Sequence, residues 1–340
     1  MGVFTNDGTE NRMMWDRMSR SFMEVWYSTI NHPETGIGVW LRYTVTAPAE
    51  ETESPYCELW GFVFDPAGKS SFASKRTFGI DHLGVANGRD DGALVRIGDA
   101  WLSETRLDGS LSKDDTTLTW SLDFEPATRC FQHLPEQLRG RIEKRVSTVC
   151  SPNMAVPFSG VVTVGDRKLE FDKAPGSQSH RWGARHSLGW TWAHCSTWDD
   201  GEAVFEGLSA QAALGPVTAP RSTFVFLRLD GEDIAFNELK WALRAKSAYD
   251  LPIWAFNAHT DKWKIYGTAT ASPDRMVQVT YRDPDGSERY CANSEISDLT
   301  IQVFRKTRGN WTHDRTLTAT GTAHLEFGRK TPFSEVPVSF

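Results

Sequence analysis

The sequence predicts an all-β fold, and three observations support this prediction. Apolar and polar residues alternate along several stretches, turn-forming residues separate those stretches at short intervals, and helical patterns are few. Many short strands joined by such turns are typical of antiparallel barrels or sandwiches. At 340 residues the chain is also long for one hydrophobic core, so its length favours two domains. We place the boundary near residue 185, which gives domains 1–185 and 186–340.

The alternation is clearest in two predicted strands, in which every second residue is apolar and belongs to one face. These residues are Ile37, Val39, Leu41, Tyr43 and Val45 in one strand, and Leu118, Trp120, Leu122 and Phe124 in the other. Asp and Gly mark the predicted turns between strands, because both residues favour tight backbone conformations. The turns are expected at residues 65–68, 165–166, 199–201, 230–231 and 283–286.

Two stretches show apolar residues at helical spacing, and both are predicted to be short helices covering a β architecture. The first is 13–27, with Trp15, Met18, Phe22 and Val25 in register. The second is 134–146, with Leu134, Leu138, Ile142 and Val146 four residues apart and Pro135 suited to a first turn.

Composition excludes several classes of protein. A net charge of −7 and a pI near 5.8 argue against a nucleic-acid partner, which would require a basic face. No stretch reaches the roughly 18 apolar residues that a membrane-spanning helix needs, and no signal peptide is apparent at the start. The five cysteines have irregular spacing without a C-x-x-C pair, so we expect reduced thiols and a cytoplasmic location.

The segment 176–195 carries the strongest indication of function. It contains three His, two Arg, three Trp and one Cys. A core would avoid so many groups that need hydrogen-bond partners, and a surface would avoid so much exposed aromatic area. The mixture favours the wall of a pocket, and the 14 Trp and 19 Phe of the whole chain favour cavities or interfaces lined by aromatic rings.

Within this segment, residues 190–195 form a predicted strand whose alternation places Trp190, Trp192 and His194 on one face. A turn at 199–201 leads to a second strand, 203–210. A three-residue loop with Gly201 left-handed would set His194 opposite Glu206, and we favour it. A two-residue loop would instead set Glu206 opposite Cys195.

A His194–Glu206 pair beneath tryptophans is an environment in which proton transfer becomes feasible, although the same pair is also compatible with a structural role. His180 is also compatible with a packed corner of the chain. Arg181 and Arg185 are compatible with a structural role in which their guanidinium groups bind carboxylates or carbonyls between the domains. A zinc site from His180, His186, His194 and Cys195 has suitable ligand types but unusual spacing, so no metal is expected. Motifs of serine hydrolases, kinases, dinucleotide enzymes and zincins are absent from the sequence.

Taken together, these residues resemble the AttH and carotenoid 1,2-hydratase (hydroxyneurosporene synthase) group, which is distantly similar to tocopherol cyclase. The resemblance rests on a hairpin at 160–172, the run His180-Arg181-Trp182-Gly183, the aromatic strand 190–194 and the following Asp-Asp-Gly turn. Ser179 stands where the group commonly has Asp, and Glu206 is the nearest carboxylate to an expected Tyr-x-Asp.

The resemblance implies two packed lipocalin-like β-barrels that bind apolar ligands within or between them. In that group some members hydrate or cyclise isoprenoid and polyene substrates without a redox cofactor, and some fungal relatives are Diels-Alderases. The family's His-x-Trp motif falls on His180 and Trp182, in the hydratase pocket where a carboxylic acid protonates an alkene. An acid held neutral by burial and nearby aromatic faces suit that chemistry.

We therefore predict a cofactor-independent cyclase, isomerase or hydratase that acts on a hydrophobic isoprenoid or polyene-like molecule. The predicted catalytic residues are His194, Glu206 and His180, and the predicted substrate-binding residues are Trp182, Arg185, His186, Trp190 and Trp192. Polar groups around Tyr281 are either a cap for the pocket mouth or ordinary cross-strand pairs. The alternative function is a lipocalin-like carrier or sensor of an apolar metabolite.

Overall fold

A computed structural model shows that the protein is nearly all-β, which confirms the predicted fold class. The structure describes residues 2–69, 71–84, 92–135, 138, 142, 144–214 and 217–340. Its strands, numbered β1 to β25 in chain order, are Val3–Thr5, Phe22–Asn31, Gly38–Ala47, Tyr56–Phe64, Phe72–Gly79, Leu83–Gly84, Ala93–Ile97, Ala100–Ser103, Arg106–Lys113, Thr116–Phe124, Arg129–Gln132, Ser147–Val164, Arg167–Gly183, Gly189–Cys195, Ala203–Gln211, Ala213–Leu214, Val217–Thr218, Ser222–Leu229, Glu232–Ala235, Lys246–Asp250, Ile253–His259, Trp263–Thr270, Val277–Arg282, Glu288–Thr307 and Asn310–Arg329. A short α-helix spans Leu239–Ala242, and 3₁₀ turns span Thr9–Asn11, Ile80–His82 and Pro273–Arg275.

The strands form two large antiparallel sheets and one small ribbon. The first sheet has 13 strands, in the order β5-β4-β3-β2-β13-β12-β10-β9-β8-β7-β6, with β11 joining β1 to β12. The second sheet has 10 strands, in the order β19-β18-β15-β14-β25-β24-β22-β21-β20, with β23 on β24; β16 and β17 form the ribbon. The chain changes from the first sheet to the second between Gly183 and Gly189.

Each sheet curls around its own hydrophobic core, the first as a nearly closed lipocalin-like barrel. A third apolar cluster lies where the outer faces of the two sheets meet. This interface cluster contains Trp40, Trp60, Phe62, Phe64, Trp190, Trp192, Val279, Tyr281, Cys291 and Ile296. Strands at this contact are covered on both sides, because one face points into a barrel and the other into the interface.

The two strands with the clearest alternation are confirmed. Ile37 and the odd-numbered apolar residues of β3 point into the first barrel, as do the predicted inward residues of β10. The predicted turns are also present, and Gly201 has a φ of 84°, the left-handed conformation that favours glycine.

The helix predicted over 13–27 is wrong, because residues Phe22–Asn31 form β2. Trp26 and Ile30 point into the barrel, whereas Val25 and Tyr27 point into the interface. A strand that is buried on both faces loses the apolar–polar alternation, and its apolar residues then coincide with helical spacing.

Much of the predicted helix 134–146 lies outside the described residues. Leu138 and Ile142 are described, and both are helical. Within the described part of the chain, no helix is both long and apolar enough to cross a membrane. All five cysteines are buried with free thiols.

Candidate functional site

A cavity of about 300 Å³ lies between the outer faces of the two sheets. Its walls are mainly aliphatic and aromatic side chains from both sheets and from the stretch between β11 and β12. The apolar lining includes Val25, Trp40, Leu134, Leu138, Ile142, Val146, Trp190, Trp192, Leu208, Phe224, Leu239 and Leu243. A concave apolar site with a few polar groups is the usual form of a small-molecule site.

The hairpin of β14 and β15 forms one wall of this cavity, and its predicted register is confirmed. His194 lies opposite Glu206 and Trp192 opposite Leu208, whereas Cys195 pairs with Phe205. The alternative register, with Glu206 opposite Cys195, is therefore wrong. Because of this register, Trp192 and His194 reach the same carboxylate: Trp192 Nε1 donates to Glu206 Oε1 at 2.6 Å, and His194 Nδ1 donates to Oε2 at 2.8 Å.

Glu206 receives a third hydrogen bond from His133, which comes from the first sheet's side of the interface. His133 Nε2 lies 2.9 Å from Glu206 Oε1, and His133 Nδ1 lies 3.2 Å from the Val149 carbonyl oxygen. Both neighbours accept, so both ring nitrogens must donate, and His133 pairs with Glu206 as an imidazolium. Burial favours a higher pKa for Glu206, but the bonds and charges of His133 and His194 outweigh it and lower this pKa to about 2.

On the side away from Glu206, His194 contacts a second buried group of polar side chains. Its ring stacks on His324 at 5.6 Å between centroids, and His324 Nε2 lies 2.7 Å from Asn31 Oδ1. Burial, with a contribution from the charge of His194, lowers the pKa of His324 well below its usual value. Glu295 Oε2 lies 3.5 Å from His324 Nε2, and burial raises the pKa of Glu295 well above its usual value. Burial therefore favours the protonated, neutral form of Glu295.

Tyr281 lines the cavity, but its hydroxyl oxygen is buried behind the wall, where Cys291 and Glu326 act on it. Its ring lies between His186, at 4.9 Å, and the guanidinium of Arg42, at 4.2 Å. Burial raises the pKa of Tyr281 well above its usual value. The hydroxyl therefore stays protonated, and the ring of Tyr281 forms part of the cavity wall.

Glu326 supplies a carboxyl group to the same cavity from β25. It lies opposite Trp192 in the sheet and accepts a hydrogen bond from Trp190 Nε1 at 2.5 Å. Trp190 also stacks on Tyr281, with ring centroids 6.3 Å apart. Trp190 thus lies beside both Glu326 and Tyr281, and all three line the cavity.

The predicted site residues divide into four groups. Trp190 and Trp192 line the cavity. Glu206 and His194 are fully buried directly behind them, and they contact the cavity wall through Trp192 and His133.

His180 and Trp182 belong to the first barrel rather than to the cavity wall. They point to the opposite face of β13 from Arg181, which does line the cavity. His180 Nε2 donates to Glu24 Oε1 at 2.9 Å and its Nδ1 to the Glu10 carbonyl at 2.7 Å, while its ring stacks on Trp26 at 4.6 Å. His180 does not lie at a packed corner, because residues 176–183 continue β13.

His186 and Arg185 lie in the link between the sheets, behind the cavity lining. His186 Nδ1 donates to Asp283 Oδ1 at 2.6 Å, and its ring stacks on Trp190. Burial, strengthened by the charge of Arg181, lowers the pKa of His186 to about 3. Arg185 is half-buried and bonds the Arg145 carbonyl oxygen and Asp285. The predicted site residues thus form three separate His–carboxylate pairs, and the described part of the chain contains no group of three potential ligands arranged for a metal.

Sequence reasoning missed His133, Arg42, Tyr27 and Glu326, which all line the cavity. Arg42 could have been identified from the sequence, because it is a charged residue in a predicted strand whose other face is fully apolar. His133 had none, since its contact with Glu206 joins residues 73 positions apart across two sheets.

The comparisons with known proteins agree with this fold. The family model described as tocopherol cyclase-like matches residues 149–329. An uncharacterised protein of Mycobacterium tuberculosis, found in strains CDC 1551 and H37Rv, is 26% identical over 334 residues, which cover 96% of this chain and 92% of that protein.

Two crystal structures share the fold. An AttH protein from Nitrosomonas europaea superposes with a TM-score of 0.55 at 13% identity, over 91% of this chain and 93% of that chain. Kievitone hydratase from Nectria haematococca superposes with a TM-score of 0.53 at 11% identity, over 96% of both chains. The resemblance predicted from the sequence is thereby confirmed. Since the family model spans more than half of the 340 residues, the chain belongs to the tocopherol cyclase-like family.

Proposed function

We propose that this protein is an enzyme of the cyclase, isomerase or hydratase type, and that it acts without a redox cofactor on an apolar small molecule bound between the two sheets. Its family membership supports an enzyme of this broad type, and its fold is shared with kievitone hydratase. We also propose that the two sheets are the two domains divided near residue 185, so that the site lies between domains.

One observation carries the proposal: a carboxyl group, that of Glu326, lies beside two tryptophans in a cavity whose walls are mainly apolar. Trp190 donates to Glu326 and stacks on Tyr281. Groups that transfer or donate protons are most effective where water is excluded and their positions are fixed.

In this proposal Glu326 transfers a proton to or from a substrate carbon. Tyr281 stacks on Trp190 and holds the indole beside Glu326. When a carbon is protonated, the faces of Trp190 and Trp192 stabilise the resulting cation. Loss of a proton from a neighbouring carbon completes an isomerisation or cyclisation, whereas addition of water with loss of its proton completes a hydration.

Glu206 and His194 are positioning residues in this scheme. One carboxylate oxygen of Glu206 accepts hydrogen bonds from Trp192 and His133 and holds both side chains at the cavity wall. The other oxygen accepts a hydrogen bond from His194. His180, which contacts Glu24 inside the first barrel, supports the fold at a distance from the reaction.

The test is a substrate search in deuterated water. The purified protein is incubated with apolar polyenes, isoprenoids and enones, and products are separated and weighed by liquid chromatography and mass spectrometry. We expect one compound to gain deuterium at carbon as it isomerises, cyclises or takes up water. Glu326→Gln is expected to slow this conversion roughly 100-fold or more.

The matched control is Glu202→Gln, because Glu202 is an exposed residue of the second sheet's β14–β15 turn. Conversion that is equally fast in wild type and Glu326→Gln would overturn the role of Glu326. A ligand that binds tightly and is recovered unchanged without deuterium would instead identify a carrier.

A further inference from the structure

The cavity contains two cations that the proposed chemistry does not use, Arg42 and Arg181. We propose that Arg42 and Arg181 form a binding site for the carboxylate of an apolar carboxylic acid. This inference rests on the proposed function only in naming the substrate class of the same cavity. It concerns binding, and it is therefore testable without turnover.

Arg42 is the first element of this site. Arg42 is only 4% exposed to solvent, and it lines the cavity from the outer face of β3. Its Nε donates to Thr44 Oγ1 at 3.0 Å, and its guanidinium lies over the rings of Tyr281, at 4.2 Å, and Trp60, at 5.0 Å. No carboxylate of the described residues lies within ion-pair distance of it. An arginine buried without an anion is costly, so an arrangement of this kind is suited to an anion brought by a ligand.

Arg181 is the second element and comes from β13. Its Nε donates to Ser147 Oγ at 3.0 Å, and Nη2 lies 3.4 Å from the Arg185 carbonyl oxygen. These partners are neutral, so they orient the guanidinium without cancelling its charge. Burial lowers the pKa of Arg181; the charges of Asp283 and Glu326 oppose this shift, and the charge of Arg42 adds to it. Arg42 and Arg181 both line the cavity.

The charge balance of the lining supports an anionic ligand. The lining contains Arg42 and Arg181 against the single carboxylate of Glu326, because His133 is already paired with Glu206. One positive charge is left over. Arginine binds carboxylates through two parallel hydrogen bonds, a geometry that a lone water or a hydroxyl cannot reproduce.

The remainder of the wall defines the other end of the ligand. Leu134, Leu138 and Ile142 form an aliphatic surface between β11 and β12, and Leu239 and Leu243 add another from the short helix. These side chains offer no hydrogen bonds. The ligand class that satisfies both ends is therefore a hydrocarbon or polyene chain that carries a single carboxylate.

The experiment compares acids with their matched alcohols on the full-length protein. Retinoic acid is paired with retinol, and straight-chain fatty acids of increasing length with the corresponding alcohols. Binding is measured by quenching of tryptophan fluorescence and by calorimetry. We expect the wild type to bind the acid of at least one pair roughly ten-fold or more tightly than its alcohol. Arg42→Met and Arg181→Met should each remove most of that preference while leaving alcohol binding within about two-fold.

Arg282→Met is the matched control, since Arg282 is exposed and pairs with Glu53. Arg42→Lys keeps the positive charge but loses the two parallel N–H donors of the guanidinium, so it should retain part of the preference for acids. This variant replaces Arg42→Met in the experiment if Arg42→Met does not fold. Glu326→Gln should keep or strengthen the preference for acids, so a failure of the proposed catalytic role is distinguishable from a failure of this site. Absence of an acid preference in every pair, whether both members bind equally or neither binds, overturns the inference.

Discussion

His133 Nε2 and Glu206 Oε1 lie 2.9 Å apart across the boundary between the two sheets, and both side chains are fully buried. This contact joins the residue that follows β11 to the middle of β15. It fixes the two outer faces relative to each other at the wall of the cavity. It also predicts a large energetic effect, because a buried ion pair that loses one partner leaves an uncompensated charge.

Glu206→Gln should therefore destabilise the protein by about 3–5 kcal/mol, since it leaves the His133 imidazolium without a counter-charge. Urea unfolding at neutral pH measures the change. Glu202→Gln, an exposed change on the same hairpin, should stay within about 0.5 kcal/mol of wild type. Equal stability of the two variants would contradict the ion pair.

The same carboxylate predicts acid sensitivity. The pKa of Glu206 is lowered in the folded state to about 2, so its stabilising effect is present above its unfolded pKa of 4.5 and is lost as the pH falls towards 2. The loss amounts to about 3 kcal/mol. Unfolding free energies measured between pH 5 and pH 2 should fall less steeply in Glu206→Gln than in wild type. Parallel curves would contradict the lowered pKa.

His186 predicts a separate effect at milder pH. Its pKa is lowered in the folded state from 6.5 to about 3, so the native protein resists its protonation while the unfolded chain accepts it. Stability should fall as the pH drops below 6.5, by up to about 1.4 kcal/mol per pH unit from this group. His186→Gln should flatten that slope between pH 6.5 and pH 4.5, where Glu206 hardly contributes. An unchanged slope would show that His186 is already charged in the folded state.

Glu295 predicts a dependence of the opposite sign. Its pKa is raised in the folded state, so its contribution is fully present below pH 4.5 and is lost as the pH rises towards the folded pKa. Glu295→Gln should therefore gain stability relative to wild type as the pH increases from 4.5 to 8. Urea unfolding across that range gives the measurement, with the exposed Glu288→Gln as control. A difference that stays constant with pH would contradict a neutral Glu295.

Gly38 predicts an effect of packing between the sheets. A Cβ atom at this position would lie 2.8 Å from the Glu295 carbonyl oxygen, closer than real contacts allow. Gly38→Ala should cost roughly 1–3 kcal/mol, because β3 would have to move away from β24. Thermal unfolding tests this. A variant as stable as wild type would show that the sheets separate easily there.

The sequence predicted the structure correctly where apolar and polar residues alternate along one strand. The alternation in β3 and β10 located the barrel core, and Gly201 together with the turn at 199–201 led to the correct pairing of His194 with Glu206. It failed in β2, where both faces are buried and the alternation disappears. Contacts between sheets were also inaccessible, since the partner of Glu206 is set by how two barrels pack rather than by any local pattern.

For the same reason the resemblance to a known group identified the fold more reliably than the site. The motif residues His180 and Trp182 support the interior of the first barrel, whereas the adjacent Arg181 faces the cavity. Neighbouring positions on a strand point to opposite sides, so a motif can lie in the core while the adjacent residue lines the cavity.

Because the cavity lies between the outer faces of the two sheets, the cores and the cavity are built from opposite sides of the same strands. In β3 the inward side chains Leu41 and Tyr43 fill the first core, and the outward Trp40 and Arg42 face the cavity. A substitution at an outward position can therefore change the shape and charge of the cavity while the side chains of the core keep their contacts.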